Sequence, residues 1–402
     1  MKSNRREFLR GHPVIDALKP HALSGTTLID EGEGWPPALS LLQQEAAAYL
    51  TKIGRRAMAC EFEVLLNAGQ YTIATEAALA ALDLVDQLEL QLSVFRDDSE
   101  VSQINRTAHL EPVNVEPRLF DLLELAAQIH YDTGGAYDIT SGPLTKLWGF
   151  FRRQGRVPNT TELTHVIQHV GMRHVEFDRT RGTLRFLTPG VEINLGSIGK
   201  GYALDRMAEL LAAERLEHFL LHGGNSSMLG RGRSQESGVR GQESRGVEAE
   251  TGTVTPALSP KERESSGWWI GLRHPLEPER RIGEVCVRNR ALGTSGSGTQ
   301  FFIHEGRRYG HILDPRTGRP VENTLSTTVA APTAAEADAL ATAFYVMGTA
   351  DAIAYCRQHA GIAAVIMSPA AADRVEIALA GWGEDEIRIY QDASLSIQYF
   401  AV

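Results

Sequence analysis

From Met58 onward the chain alternates between two periodicities. In 60–66 (CEFEVLL) apolar and polar residues alternate, which predicts a half-buried strand, and over 75–95 Leu79, Leu82, Leu88 and Leu92 recur at helical spacing. A second helix is predicted over 117–135. Pro117 suits a first turn, where an amide has no intrahelical acceptor, and Gly134-Gly135 supplies the stop. A third helix opens at Asn159, a capping residue with Glu162 three positions on. Strands follow at 174–178 and 183–187 around a turn at Thr180-Arg181-Gly182, then at 191–195, leading into the helical pattern GSIGKGYALDRMAELL. A strand ends near Leu221, another restarts at Trp268, and helical propensity returns over Ala334 to Met347. Strands that alternate and join by short turns, interleaved with helices, favour a mixed α+β fold over a doubly wound parallel sheet.

Two stretches fall outside this rhythm. Residues 1 to about 50 carry the breakers Gly32, Gly34, Pro36 and Pro37 and read as an N-terminal extension (1–50). Residues 231–266 are polar, repeat a Gln-Glu-Ser unit and lack aromatic anchors, so they read as a disordered insertion. The body of the fold is then expected at 51–388, with 389–402 as a C-terminal tail. The start Asn4-Arg5-Arg6-Glu7-Phe8-Leu9-Arg10 has the form of a twin-arginine export motif, but no sustained apolar run follows it and no early cysteine could carry a lipid. By its own sequence the chain is expected to be cytoplasmic, with export left open.

Composition narrows the function classes. The chain has 402 residues, 43% of them hydrophobic, and a formal charge of −10. That is a soluble globular composition, and its acidic balance argues against a nucleic-acid binder that tracks phosphates with a basic stripe. Cys60, Cys286 and Cys356 form no CxxC pair, which excludes a disulfide scaffold and a cysteine-rich zinc site. No stretch of about 18 uninterrupted apolar residues predicts a transmembrane helix.

Three stretches carry candidate chemistry. In VEINLGSIGKGYALD a strand meets a glycine turn and a helix beginning beside Lys200, a junction that offers free amides and a cation to a phosphate, or is an ordinary glycine turn. It is not a Walker loop, since Gly201 stands where Ser or Thr would follow the lysine. In RRYGHILDPRTGRPV, His311 precedes a rigid turn and could act as a base, contact a nucleotide or serve the turn itself. In the helix from Ala334, Asp338 and Thr342 stand at i and i+4 on one face. A carboxylate and a hydroxyl so placed can share Mg²⁺, or else make an intrahelical contact. Two loop clusters accompany them: LSVFRDDSEVSQIN around Phe95, and GGAYDITSGPLTKLWGF with Tyr137 and Asp138 just past a helix end.

In this order the blocks SVFRDDSEVSQIN, GAYDITSGPLTKLWGF, INLGSIGKGYALD, LHGGN, Thr294-Ser295-Gly296, GHILDPRTGRP and ADALATAFYVMG, together with Met58, resemble the ApbE family of FAD:protein FMN transferases. The resemblance runs from about 52 to 385. It implies a single catalytic domain of α+β, T-fold-like mixed sheets with packed helices and internal duplication. The implied activity is Mg²⁺-dependent transfer of the FMN half of FAD to a Thr or Ser hydroxyl of an acceptor flavoprotein, with release of AMP. Alternatives are hydrolysis of FAD to FMN and AMP, and FAD binding without catalysis. Carried onto this sequence, the resemblance places Met58, Phe95, Ala136, Tyr137, Asp138, Asn194, Lys200 and Ile312 around FAD. It assigns Ser197, Asp338 and Thr342 to the metal and His311 to the reacting phosphates; deprotonation of the acceptor falls to His311 or Asp314. This chain has Asn194 where the family usually has Asp, Met58-Ala59-Cys60 for Met-Gly-Thr, Phe95 for the commoner Tyr, and Ser297-Gly298-Thr299 for a block that is often Asp-Tyr.

Overall fold

The alternation at 60–66 becomes one arm of an antiparallel hairpin in a computed structural model that describes residues 50–234, 267–298, 300–371, 374–390 and 392–401. β1 (Leu50–Ala57) pairs with β2 (Cys60–Asn67), and Phe62, Val64 and Leu66 of β2 are fully buried. The two-residue turn between them, Met58-Ala59, has both φ angles positive, at 48° and 62°, as a primed hairpin turn requires. The first helical segment follows: α1 (Ala74–Leu92), α2 (Glu100–Thr107), the short β3 (Val113–Asn114), α3 (Pro117–Asp132), α4 (Gly142–Leu147) and α5 (Thr160–Ile167). Pro117 sits at the first turn of α3 as expected, and Asn159 and Glu162 form a reciprocal capping box on α5. The buried face of α1 is centred on Ala78, Leu82, Val85 and Leu92, which leaves Leu79 of the expected stripe exposed. β4 (Val175–Asp178) and β5 (Thr183–Phe186) complete a small sheet with β3.

The rest of the chain builds the main sheet and its two coverings. α6 (Gly199–Ala213) leads to β6 (Phe219–Gly223) and β7 (Ser227–Arg231); β8 (Trp268–Arg273), β9 (Arg281–Val287) and β10 (Arg290–Gly296) follow. A rim of short hairpins comprises β11 (Phe301–His304) with β12 (Arg307–Gly310) and β13 (Leu313–Asp314) with β14 (Arg319–Pro320). β15 (Ser326–Ala331), α7 (Ala334–Met347), α8 (Thr349–Gln358), β16 (Ala363–Pro369), β17 (Val375–Ala380), β18 (Ile387–Ile389) and β19 (Leu395–Phe400) close the chain. The main sheet has nine strands in the order β1-β2-β6-β7-β10-β15-β16-β17-β19, antiparallel throughout except for the parallel β17–β19 pair. Its strands bury alternate residues on opposite faces. Ala364 and Ile366 of β16 join the core beneath the helices, whereas Ala363, Val365 and Met367 join the core beneath the β18-β9-β8 sheet. Burial on both faces explains why Ala363–Met367 of β16 is an unbroken apolar run.

α6 and α7 cap each other. Asp205 on α6 accepts hydrogen bonds from the amides of Ala334 and Ala335 at the start of α7, at 2.8 and 2.9 Å. Asp338 on α7 accepts one from the amide of Gly201 in the first turn of α6, at 2.8 Å. The approach is so close that a Cβ on Gly201 would stand 2.0 Å from the Ala334 carbonyl oxygen, and one on Gly293 of β10 2.2 Å from that of Ala337.

Two sequence expectations are revised, and two others fall wholly or largely outside the described residues. Residues 191–195 are not a ladder strand. They make a single bridge, Glu192 to Ser141, and the side chain of Asn105 serves Ile193 in place of a neighbouring strand, bonding its amide and its carbonyl at 2.8 and 2.9 Å. The stretch 389–402 is no tail, because Leu395–Phe400 alternates and adds the ninth strand. Of the expected insertion, Arg231 ends β7 paired with Phe219, and 235–266 lies outside the described residues. The expected extension and its twin-arginine-like start, up to residue 49, also lie outside them. Among the described residues no helix is long and apolar enough to cross a membrane.

Two predictions follow from the α6–α7 junction. Gly201→Ala and Gly293→Ala should each destabilise the protein by about 3 kcal/mol, since backbone rather than a flexible side chain must move; urea unfolding midpoints measure this. Burial pushes the Asp205 carboxyl up to about 6, against the pull of the two amides. The unfolded chain, with its Asp near about 4, then gives up this proton first. Stability therefore falls as pH rises from about 4 to 6 and levels off above, where both states are ionised. Asp205→Asn should remove this contribution and make the slope shallower in urea midpoints taken at pH 4, 5, 6 and 7; an unchanged slope refutes the assignment.

Candidate active site

The junction of α6, α7 and β10 opens onto a cavity of about 490 Å³, within the size range of small-ligand sites. Lys200, in the first turn of α6, Asp338 and Thr342, one turn apart on α7, and Thr294, Ser295 and Gly296 at the end of β10 line it together. The loop after α3 contributes Ala136, Tyr137 and Asp138, and the strand-like segment before α6 contributes Asn194 and Ser197. His311, Ile312, Leu313 and Pro315 close the far side.

Asp338 is the electrostatic centre. Its carboxylate is buried and accepts from Ser227 Oγ, 2.7 Å from Oδ1 and 2.9 Å from Oδ2, besides the amide of Gly201. Burial raises its carboxyl above the ordinary range, opposed by the Lys200 ammonium and by these hydrogen bonds. Lys200 makes no hydrogen bond or ion pair to a described residue, so its charge is left to face the cavity. Thr342 Oγ1 lies 3.0 Å from Ser295 Oγ and donates to the Asp338 carbonyl at 3.3 Å. Among the described residues no three His, Cys, Asp or Glu side chains cluster as a metal site. A cation here would meet one carboxylate and several hydroxyls, a donor set that suits a hard ion such as Mg²⁺ retaining part of its water shell. Ser197 faces the same cavity, its hydroxyl donating to the Tyr137 phenol oxygen at 3.4 Å.

The remaining expected residues divide by role. His311 Nδ1 and its own amide both meet the Gln300 carbonyl oxygen, at 3.0 and 3.2 Å. That bond fixes the proton on Nδ1 and leaves Nε2 as an acceptor. Burial lowers the His311 pKa from its ordinary value, the Gln300 bond opposing and Lys200 adding to the effect, so the ring is neutral near pH 7. Ala136 and Ile312 pack with Tyr345 and Val346 as an apolar wall, and burial holds the Tyr137 phenol protonated. Asn194 uses Oδ1 to accept from the Gly196 amide at 2.9 Å, shaping the turn before α6. Phe95 reaches the cavity as an exposed ring, whereas Met58 lines a neighbouring apolar pocket that shares Phe95, Asn194 and Lys200 with the main one.

Two carboxylates are occupied elsewhere. Asp314 is not placed as a base: Arg316 holds both its oxygens, at 2.9 and 3.0 Å, and its carbonyl closes the turn by accepting from the Gly318 amide at 2.7 Å. The Asp138 carboxylate borders the cavity but accepts from the Thr140 amide and hydroxyl at 2.7 and 2.6 Å, with His130 Nδ1 at 3.2 Å, so it orders its own loop. Sequence reasoning missed Ser227 and Gln300, which carry no local motif, and Phe151, whose ring stacks on Phe95.

The chain matches the ApbE family over residues 58–366. It is 30% identical to the FAD:protein FMN transferase of Salmonella typhimurium over 265 residues, 64% of this chain and 67% of that protein. It is 31% identical to that of Treponema pallidum over 294 residues, 71% of this chain and 75% of that protein. The crystal structure of the ApbE protein from Thermotoga maritima superposes with a TM-score of 0.67 at 26% identity, covering 82% of this chain and 97% of that one. The match spans most of the chain and includes the residues that build the cavity, and this protein belongs to the ApbE family.

Proposed function

We propose that this chain is an FAD:protein FMN transferase. The observation that carries the reading is the meeting of an unpaired ammonium, Lys200, with the oxygen donors Asp338, Thr342 and Ser295 across one cavity, in a chain of this family. In the reaction an acceptor Thr or Ser oxygen bonds to the FMN-side phosphorus of FAD. The bond from that phosphorus to the bridging oxygen breaks, AMP leaves with that oxygen, and the hydroxyl proton passes to a base.

Such a transfer asks a protein for alignment and charge neutralisation more than for covalent chemistry. Lys200 answers the charge of the pyrophosphate directly, and the start of α6 turns its positive end to the same place. Asp338 and Thr342 would hold Mg²⁺, with Ser197 as a further oxygen; the bound ion would supply Lewis-acid neutralisation of the phosphate oxygens. His311, neutral and with Nε2 free to accept, takes the proton from the acceptor hydroxyl. Ala136, Ile312 and Tyr345 keep water from one side of the cavity.

Two outcomes test this reading. With FAD, Mg²⁺ and a co-expressed flavoprotein acceptor, mass spectrometry should find FMN added to a Thr or Ser, and Asp338→Ala should abolish it. Rapid AMP release with no acceptor present would instead make the chain an FAD hydrolase, and intact FAD in every mixture a binder only. The rate should rise with pH along an acid limb whose midpoint lies below the ordinary imidazole value of 6.5, because the neutral ring is the active form and burial lowers its pKa. His311→Gln should lower kcat by about 10² or more and erase that limb; a limb that survives assigns the base elsewhere.

A further inference from the structure

Phe95 is poorly held by its own loop. Its ring is 70% exposed, its amide bonds only Ser93 Oγ at 3.2 Å, and it has no hydroxyl to tether the far end of the ring. Yet it borders both the main cavity and the adjoining apolar pocket of Met58, Leu92 and Leu195. What covers it is Phe151: the two rings stack with centroids 4.5 Å apart and planes 22° apart. Phe151 is itself well presented. The Lys146 ammonium stands 5.4 Å from its ring centroid, and Lys146 is ion-paired to Glu192. The loop that carries Phe151 folds back on itself, with Gln154 donating to the Gly149 carbonyl at 3.0 Å and Arg156 to that of Trp148 at 2.9 Å. Gly149 and Gly155 take positive φ of 75° and 50°, and a Cβ on Gly155 would meet the Phe302 ring at 2.5 Å, so this loop has little freedom to rearrange.

We propose that Phe151 is a positioning residue for FAD, resting on the transferase reading above: it backs Phe95, so that Phe95 offers its remaining face, ready oriented, to a planar ring of the bound dinucleotide. An exposed phenylalanine loses rotamer freedom when a ligand stacks on it; a ring already stacked has lost that freedom before the ligand arrives. Phe151 therefore acts on affinity through Phe95.

FAD titrated into the purified protein, with flavin fluorescence followed, tests this. Phe151→Ala should raise the Kd for FAD about three- to tenfold and reduce the quenching at saturation, with Phe151→Tyr restoring both. In a Phe95→Ala background the Phe151→Ala change should have no further effect. The proposal is overturned by an unchanged Kd, by tighter binding, which would mean that Phe151 blocks the ring it covers, or by an equal loss in the Phe95→Ala background. Should Phe151→Ala not fold, Phe151→Leu keeps the apolar bulk without the aromatic face and carries the same comparison. Wild-type protein that binds no FAD overturns the transferase reading beneath; wild-type protein that binds FAD while Phe151→Ala matches it overturns the role of Phe151 alone.

Discussion

The reciprocal capping of α6 and α7 is the constraint on which the rest of this structure depends. Each helix leaves amides without intrahelical partners at its start, and each is served by a carboxylate of the other, Asp205 for α7 and Asp338 for α6. The exchange is possible only because Gly201 and Gly293 let backbone approach backbone. The contact brings Lys200 and Asp338 to one cavity through main-chain packing, with little left to side-chain choice. The cavity is a by-product of how two helix ends meet over the sheet.

Asp338 consequently serves two ends. It satisfies the Gly201 amide and the Ser227 hydroxyl, which tie α6 and β7 to α7, and it brings a negative charge into the cavity. A buried carboxylate is tolerated where hydrogen bonds and a nearby cation stabilise its ionised form, and here the cation, Lys200, faces it without touching it. The fold thus keeps a buried carboxylate opposite an unpaired cation where two helices pack backbone to backbone, the kind of site where a charged ligand can add what packing alone does not. Asp205 shows the other resolution of the same problem: two amides serve it, the Arg231 charge acts on it only as the smallest influence, and its carboxyl remains raised.

How legible this was in the sequence depended on the range of the interaction. Local rules served well where one segment decides its own state: the first-turn Pro117, the Asn159–Glu162 box and the alternation of β2 all stand as read. Asp338 and Thr342 were visible because helical spacing puts them on one face. Asp205, Ser227 and Gln300 were not, since each matters only through a partner far along the chain, and no periodicity marks such pairs. The strand expected at 191–195 failed for the same reason. Its residues have strand character, but the space beside it is taken by Asn105, a side chain from α2 that satisfies one residue where a strand would satisfy several. The supposed tail became a strand because β17 had a free edge on which the alternation of 395–400 could pair. Asp314, the alternative to His311 as base, is held by Arg316 two residues away, a pairing that spacing alone does not mark.

A net charge of −10 is at odds with a dinucleotide whose linking phosphates are themselves anionic, and the local arrangement resolves the conflict. Surface charges more than a Debye length away, about 8–10 Å in physiological salt, are largely screened and contribute little to the cavity. Among the cavity-lining groups Lys200 is opposed by Asp338, His311 is neutral, and Asp138 adds a carboxylate bonded to Thr140 and His130. The protein alone therefore offers a pyrophosphate a site with no net positive charge, studded with hydroxyls. A dianion gains little from such a site unless positive charge arrives with it. This is the electrostatic argument for the divalent ion proposed above, and it gives Asp338, which would repel the phosphates by itself, a place in the proposed site.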